Sequence, residues 1–114
     1  MSCHATVRHN GKVSIVDLHG NVTISSGIGV IRDAVRDLVN AGHRNILLNL
    51  ASVSYMDSSG LAEMAGTYIT VANMGGMMKL VNAQSRVDSL LHITKLYTVM
   101  VTFPDEASAV ASFR

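Results

Sequence analysis

The feature that most constrains the fold is a polar link, Tyr55-Met56-Asp57-Ser58-Ser59-Gly60-Leu61, set between two segments of different periodicity. Before it, Ile46-Leu47-Leu48-Asn49-Leu50 is a compact apolar run of the kind found in a strand buried on both faces. After it, Leu61, Met64, Ala65, Tyr68, Ile69 and Ala72 recur at helical spacing. The link therefore carries the chain from the end of a core strand into the start of a helix. Backbone N–H groups point outward at such a place, and negative charge is favoured there. Two hydroxyls and a carboxylate occupy it.

The remainder alternates in the same way. Val7, then Val13, Ile15, Val16 and Leu18, flank Asn10-Gly11, a dipeptide suited to a tight hairpin. Val22-Thr23-Ile24 reads as a short continuation, and Ser25-Ser26-Gly27 offers hydroxyl caps for a helix whose inner stripe is Ile31, Ala34, Val35 and Leu38. Gly42 is placed to end that helix. The second helix is expected from about Ser59 to Met74, stopped by Gly75-Gly76, with Ser59 as its cap and Glu63 in its first turn. Met77–Val81 reads as a core strand, Asn82–Ser85 as caps for a short helix carrying Val87, Leu90 and Leu91, and Tyr97–Val101 as a strand. Pro104-Asp105-Glu106 opens a last helix with Ala107, Val110 and Ala111 inward. The expectation is an α/β domain spanning 1–114, with a mixed sheet (an N-terminal hairpin, then parallel strands) and about four helices.

Composition narrows the function. Hydrophobic residues make up 48% and charged residues 15%, which excludes a disordered chain. A formal charge of +1 with scattered Lys and Arg, and 4% aromatics, argues against direct nucleic-acid binding. No apolar run is long enough for a membrane span, and the N-terminus lacks a secretory pattern, so a cytoplasmic location is expected. The single Cys3 cannot form an internal disulfide and reads as an unreactive thiol. His4, His9, His19, His43 and His92 lack metal-ligand spacing and read for the most part as solvated loop residues, while the methionines read mostly as core filler. No metal, cofactor or catalytic residue is expected.

Taken together, the run Ile46–Leu50, the motif Tyr55–Leu61, Gly75-Gly76, Lys79-Leu80-Val81 and the acidic opening of the last helix resemble the STAS family of bacterial anti-sigma factor antagonists. The resemblance covers essentially the whole chain and implies a partner-switching regulator rather than an enzyme. On that reading the dephosphorylated form binds an anti-sigma factor that is also a serine kinase, so that a sigma factor is released. Phosphorylation ends the binding, and a metal-dependent serine phosphatase restores it. The family's phosphoacceptor maps to Ser58, with Met56, Asp57, Ser58, Ser59, Gly60 and Leu61 as the partner-binding stretch. Ala62 departs from the second glycine that many members carry. A monomer or weak homodimer is expected.

Two other readings compete. A serine hydrolase using Ser58 would need a base and a Gly-x-Ser-x-Gly elbow, and residues 56–60 read Met-Asp-Ser-Ser-Gly. A non-switching scaffold, as a subunit of a signalling complex or a lipid transporter, is the stronger alternative, although retention of the Ser58 hydroxyl counts against it. Thr94-Lys95-Leu96 is a connection that could approach the Ser58 link.

Overall fold

The turn after Asn10 folds as its residue types require. Gly11 takes a φ of +61° and joins β1 (His4–Asn10) antiparallel to β2 (Val13–His19). The computed structural model describes residues 3–113. After the hairpin come α1 (Val30–Asn40), β3 (Asn45–Ser52), α2 (Ser58–Asn73), β4 (Met77–Val81), α3 (Ser85–Ile93), β5 (Thr102–Phe103) and α4 (Glu106–Ala111). The strands lie in the order β1-β2-β3-β4-β5, with every pairing beyond the hairpin parallel. This is the mixed α/β sheet expected from the sequence.

That order dictates the layers. Right-handed crossovers that keep stepping in one direction place their helices on one face of a sheet. Helices α1, α2 and α3 accordingly share one core with Val16, Leu18, Ile46, Leu48 and Leu80. The opposite set of strand residues, Val13, Ile15, Leu47 and Val81, is covered by Ala109 of α4 together with Phe103, Val110 and Phe113. Strand β3 is thus buried on both faces, which is why Ile46, Leu47 and Leu48 are apolar without alternation. Asn49 interrupts the run on the α4 side. Its amide donates to Asp17 Oδ1 at 2.7 Å, and its carbonyl oxygen accepts from Asn82 Nδ2 at 3.2 Å and from the Ala51 N–H at 3.1 Å.

Polar side chains fasten α4 to the sheet. Arg8 donates to Asp17 at 2.6 Å and to Glu106 at 2.5 Å, so one guanidinium joins the hairpin to the start of α4. Lys79 is buried, and its ammonium donates to the carbonyl (3.0 Å) and hydroxyl (2.9 Å) of Ser112 at the end of α4, while facing the Phe113 ring. A cation at a helix C-terminus also meets the negative end of the dipole.

Several local expectations are corrected. Tyr97–Val101 is not a strand: Leu96–Thr98 form a 3₁₀ turn entered through Lys95 at φ +61°, Met100 plugs the core, and only Thr102–Phe103 pair with β4. Strand propensity there yields to the need to return from α3 to the sheet edge. Ser25 and Ser26 do not cap α1. Thr23 and Ser26 bond each other in a tight turn, and Gly29 is the cap residue, with no side-chain bond of its own. No side chain caps α3 either; Asn82 reaches Asn49 and Gln84 donates to the Ala51 carbonyl. In α2 the inward face is Leu61, Met64, Thr67 and Val71, with Ile69 and Ala72 exposed, because the Thr67 hydroxyl donates to Glu63 O and is satisfied within the helix. In α4 it is Ala109 that is buried; Ala107 and Ala111 are exposed. Met74 and Met77 are exposed as well. Of the histidines only His43 lies in a connection: His4 and His9 are in β1, His19 ends β2 and His92 is in α3; His4 stacks on His19 and His92 on Tyr97, while His9 and His43 meet at a tilt.

The Arg8 clamp has a pH signature. Hydrogen bonds from Arg8 are the main cause holding the Asp17 and Glu106 carboxyls below their ordinary range. A carboxyl depressed by folding stabilises the native state above its unfolded pKa of about 4, and that contribution is lost as the pH falls through the folded value. Arg8→Ala should therefore cost about 0.5–1 kcal/mol at pH 7, the solvent-exposed guanidinium being screened. The gap to the wild type should close progressively below about pH 4, as read from urea midpoints at neutral and acid pH.

Candidate functional site

The link between β3 and α2 is built against a second loop more than thirty residues earlier in sequence. Asn21 accepts at its side-chain oxygen from the Ser54 hydroxyl (2.9 Å) and the Tyr55 N–H (3.1 Å). The backbone then pairs in parallel: Val22 N–H donates to Tyr55 O and Asp57 N–H to Val22 O, each at 3.2 Å, forming a bridge between Val22 and Met56. The expected continuation at Val22–Ile24 is thus reduced to isolated bridges, from Val22 to Met56 in the link and from Thr23 to Ser26 and Gly27 in its own loop.

Asp57, not Ser59, is the N-cap of α2. One carboxylate oxygen accepts from the Gly60 N–H at 2.9 Å, and the other accepts from the Ile24 N–H at 3.0 Å. Asp has the side chain best suited to reach the third helical N–H, and here it ties down the neighbouring loop as well. These backbone donors, Ile24 first and Gly60 second, hold the Asp57 carboxyl below the usual range, so it stays ionised at neutral pH.

With Asp57 as cap, Ser58 is the first residue of α2 and is exposed. Its hydroxyl has no hydrogen-bond partner among the described residues. Ser59 is half-buried beside it. Met56, Gly60 and Leu61, expected within the partner-binding stretch, are buried, so they shape the link from beneath. The reason at Gly60 is steric: a Cβ there would lie 2.2 Å from Val22 O and 2.8 Å from Met56 Cγ. The exposed surface consists of Tyr55 and Ser58, with Asp57 half-buried between them and Ile24 (68% exposed) and Ile93 (79% exposed) on the neighbouring elements.

A groove of about 570 Å³ separates the link from α3. Its near wall includes Asp57 and Ser58, and its far wall Arg86, Ser89, Leu90 and Ile93. The connection Thr94–Leu96 does not line it; α3 does. Sequence reasoning missed Arg86, Ile93, Ile24 and Asn21, and no local pattern marks them.

Glu63 is another departure. It lies beyond the first turn of α2, and its carboxylate accepts from the Gly29, Ile31 (3.1 Å) and Arg32 (3.2 Å) N–H groups. It therefore caps α1 across the helix interface, supplying what Ser25 and Ser26 do not. Cys3 lies near this carboxylate, and burial, reinforced by Glu63, pushes its thiol up, as expected for an unreactive thiol.

Comparison with known proteins agrees with this architecture. The STAS domain family model matches residues 4–109, and the chain belongs to that family. It is 32% identical over 100 residues to the anti-sigma-B factor antagonist of Bacillus subtilis, covering 88% of this chain and 90% of that one. Its fold superposes on the crystal structure of an anti-sigma factor antagonist from Mycobacterium paratuberculosis (TM-score 0.86, 20% identity, 98% and 94% of the two chains). It also superposes on the Bacillus cell fate determinant SpoIIAA in its phosphorylated form (TM-score 0.72, 20% identity, 96% and 99% of the two chains). Among the described residues no helix is long and apolar enough to cross a membrane.

Because Gly60 sits under the Val22 carbonyl, Gly60→Ala should cost about 1–3 kcal/mol by overpacking. The change should also displace the link. Urea denaturation and the backbone amide signals of residues 55–60 check both effects.

Proposed function

We propose that this chain is an anti-sigma factor antagonist that works by partner switching, with Ser58 as the phosphoacceptor. The observation that carries the reading is the Ser58 hydroxyl: exposed, without a hydrogen-bond partner among the described residues, at the first position of α2, on a link anchored by Asn21, Val22 and Asp57. A kinase needs a hydroxyl it can reach in a fixed place, and a partner needs a surface that does not reorganise on binding. Exposed Ile24, Tyr55 and Ile93 around the acceptor supply apolar area for such a contact. The name of the Bacillus subtilis relative and the phosphorylated state of the SpoIIAA structure fit the same reading.

In the unphosphorylated state the partner is an anti-sigma factor with serine kinase activity, and binding frees the sigma factor. The kinase transfers the γ-phosphoryl group of ATP to Ser58 Oγ; ADP leaves and the hydroxyl proton is lost. The product carries about −1.5 to −2 charges beside an already ionised Asp57. The N-terminus of α2 offsets that repulsion by roughly 0.3–1 kcal/mol, so the domain itself tolerates the change. A partner surface shaped for a neutral hydroxyl does not, since burying the unpaired phosphate would cost several kcal/mol. A metal-dependent phosphatase returns the chain to its binding state.

The test is incubation with ATP and candidate anti-sigma kinases of the same genome, followed by intact mass, phosphopeptide mapping and a pull-down. One phosphate on Ser58, absent in Ser58→Ala and retained in Ser59→Ala, with loss of the complex, is the expected result. A phosphate on another residue, or a complex indifferent to it, would overturn the assignment. Ser58→Asp should bind the partner at least tenfold more weakly while its stability stays within about 1 kcal/mol of wild type. A large drop in thermal midpoint would mean that the switch acts by unfolding.

A further inference from the structure

The groove between the link and α3 contains a cation with nothing to hold. Arg86 lies in the first turn of α3 and lines the groove opposite Asp57 and Ser58. Among the described residues its guanidinium has neither a hydrogen bond nor an ion pair. The one acid of α3, Asp88, does not line this groove and faces His92 at 3.6 Å. Asp57 is the groove's anion, and both of its carboxylate oxygens are already engaged, by the Gly60 and Ile24 N–H groups. The Tyr55 side chain also lines the groove. As it stands the groove balances one negative and one positive charge without pairing them.

A phosphate on Ser58 changes that balance. It brings about −1.5 to −2 charges and three acceptor oxygens to the rim of a groove whose one cation is an uncommitted arginine. Guanidinium and phosphate match as a planar fork against paired oxygens, and such charge-assisted bonds are roughly twice as strong as neutral ones. We propose that Arg86 is the intramolecular receptor for phosphorylated Ser58, drawn across the groove to clamp the phosphate against α3. The proposal rests on Ser58 being the modified residue, and it adds a second way in which modification alters the surface. The clamp covers apolar Leu90 and Ile93 on the far wall and takes Arg86 away from any acidic group of a partner. The phosphorylated face thus differs in shape and in available cations as well as in net charge.

The experiment uses the whole chain with phosphoserine encoded at position 58 during translation, so that no kinase is needed. The phosphate resonance is followed by phosphorus NMR against pH in the otherwise wild-type chain, in Arg86→Gln and in Arg86→Lys. Removing the arginine should raise the second phosphate ionisation by about half a pH unit or more, with lysine partly restoring it. High salt should narrow the difference. In the unsubstituted chain the Arg86 Nε–H signal should shift and exchange more slowly once position 58 carries the phosphate. Coincident titrations in all three chains, with an unchanged Nε–H signal, would overturn the clamp. Proton–nitrogen spectra of the unphosphorylated variants verify that they are folded, as expected for an exposed, unpartnered side chain. Because the phosphate is installed by translation, failure of the clamp leaves the kinase mapping untouched. Failure of that mapping would in turn leave the Arg86 titration readable.

Discussion

The site depends on one carboxylate doing two jobs. Asp57 caps α2 through Gly60 and, with its other oxygen, grips the Ile24 N–H of a loop far away in sequence. Without that grip the link would be an ordinary strand-to-helix connection, free to fray as helix starts do. With it, and with the Val22 backbone bonds alongside, residues 55–57 are fixed to the neighbouring loop by a parallel bridge, and the Ser58 hydroxyl at the start of α2 has no hydrogen-bond partner among the described residues. Gly60 makes this approach possible, since any side chain at that position would meet the Val22 carbonyl. The motif Asp-Ser-Ser-Gly is therefore a mechanical unit, in which the acid and the glycine fix the backbone and the first serine is presented.

The same economy appears between α1 and α2. Glu63 leaves its own helix to satisfy three backbone N–H groups at the start of α1, so the two helices are coupled at the polar end of their interface as well as through their apolar faces. Since α2 begins at Ser58, the placement of the presented hydroxyl is tied to the packing of α1. Rigidity of this kind suits a surface that is to be read in two chemical states. The modification then changes what a partner meets without first having to reorganise the scaffold.

The two faces of the sheet do different work. Three helices on one face build the main core and, through α2 and α3, both walls of the groove beside Ser58. The other face is closed only in part, by the short α4, held by Arg8 at one end and Lys79 at the other. Asp17, Asn49 and Asn82 form a hydrogen-bonded row where that helix does not reach. This explains the lone asparagine in an otherwise apolar core strand: Asn49 faces a side of the sheet that α4 leaves uncovered.

By itself the sequence determined the alternation of strands and helices, the hairpin at Asn10-Gly11, the doubly buried β3 and the location of the link, all signals carried by neighbouring residues. Period and turn chemistry act over a few positions, and a single chain displays them directly. It did not determine which acid would cap which helix. Asp57, Glu63 and the paired serines are all competent caps, and the choice was made by which backbone N–H groups the fold brought near them. Nor could it show that Tyr97–Val101 would forgo strand pairing, because that outcome depends on how α3 must turn back to reach the sheet edge. Arg86, Ile24 and Asn21 were invisible for the same reason. Their placement beside the link is a product of parallel crossovers that fold distant segments over the carboxyl end of β3, and only the tertiary structure contains that distance.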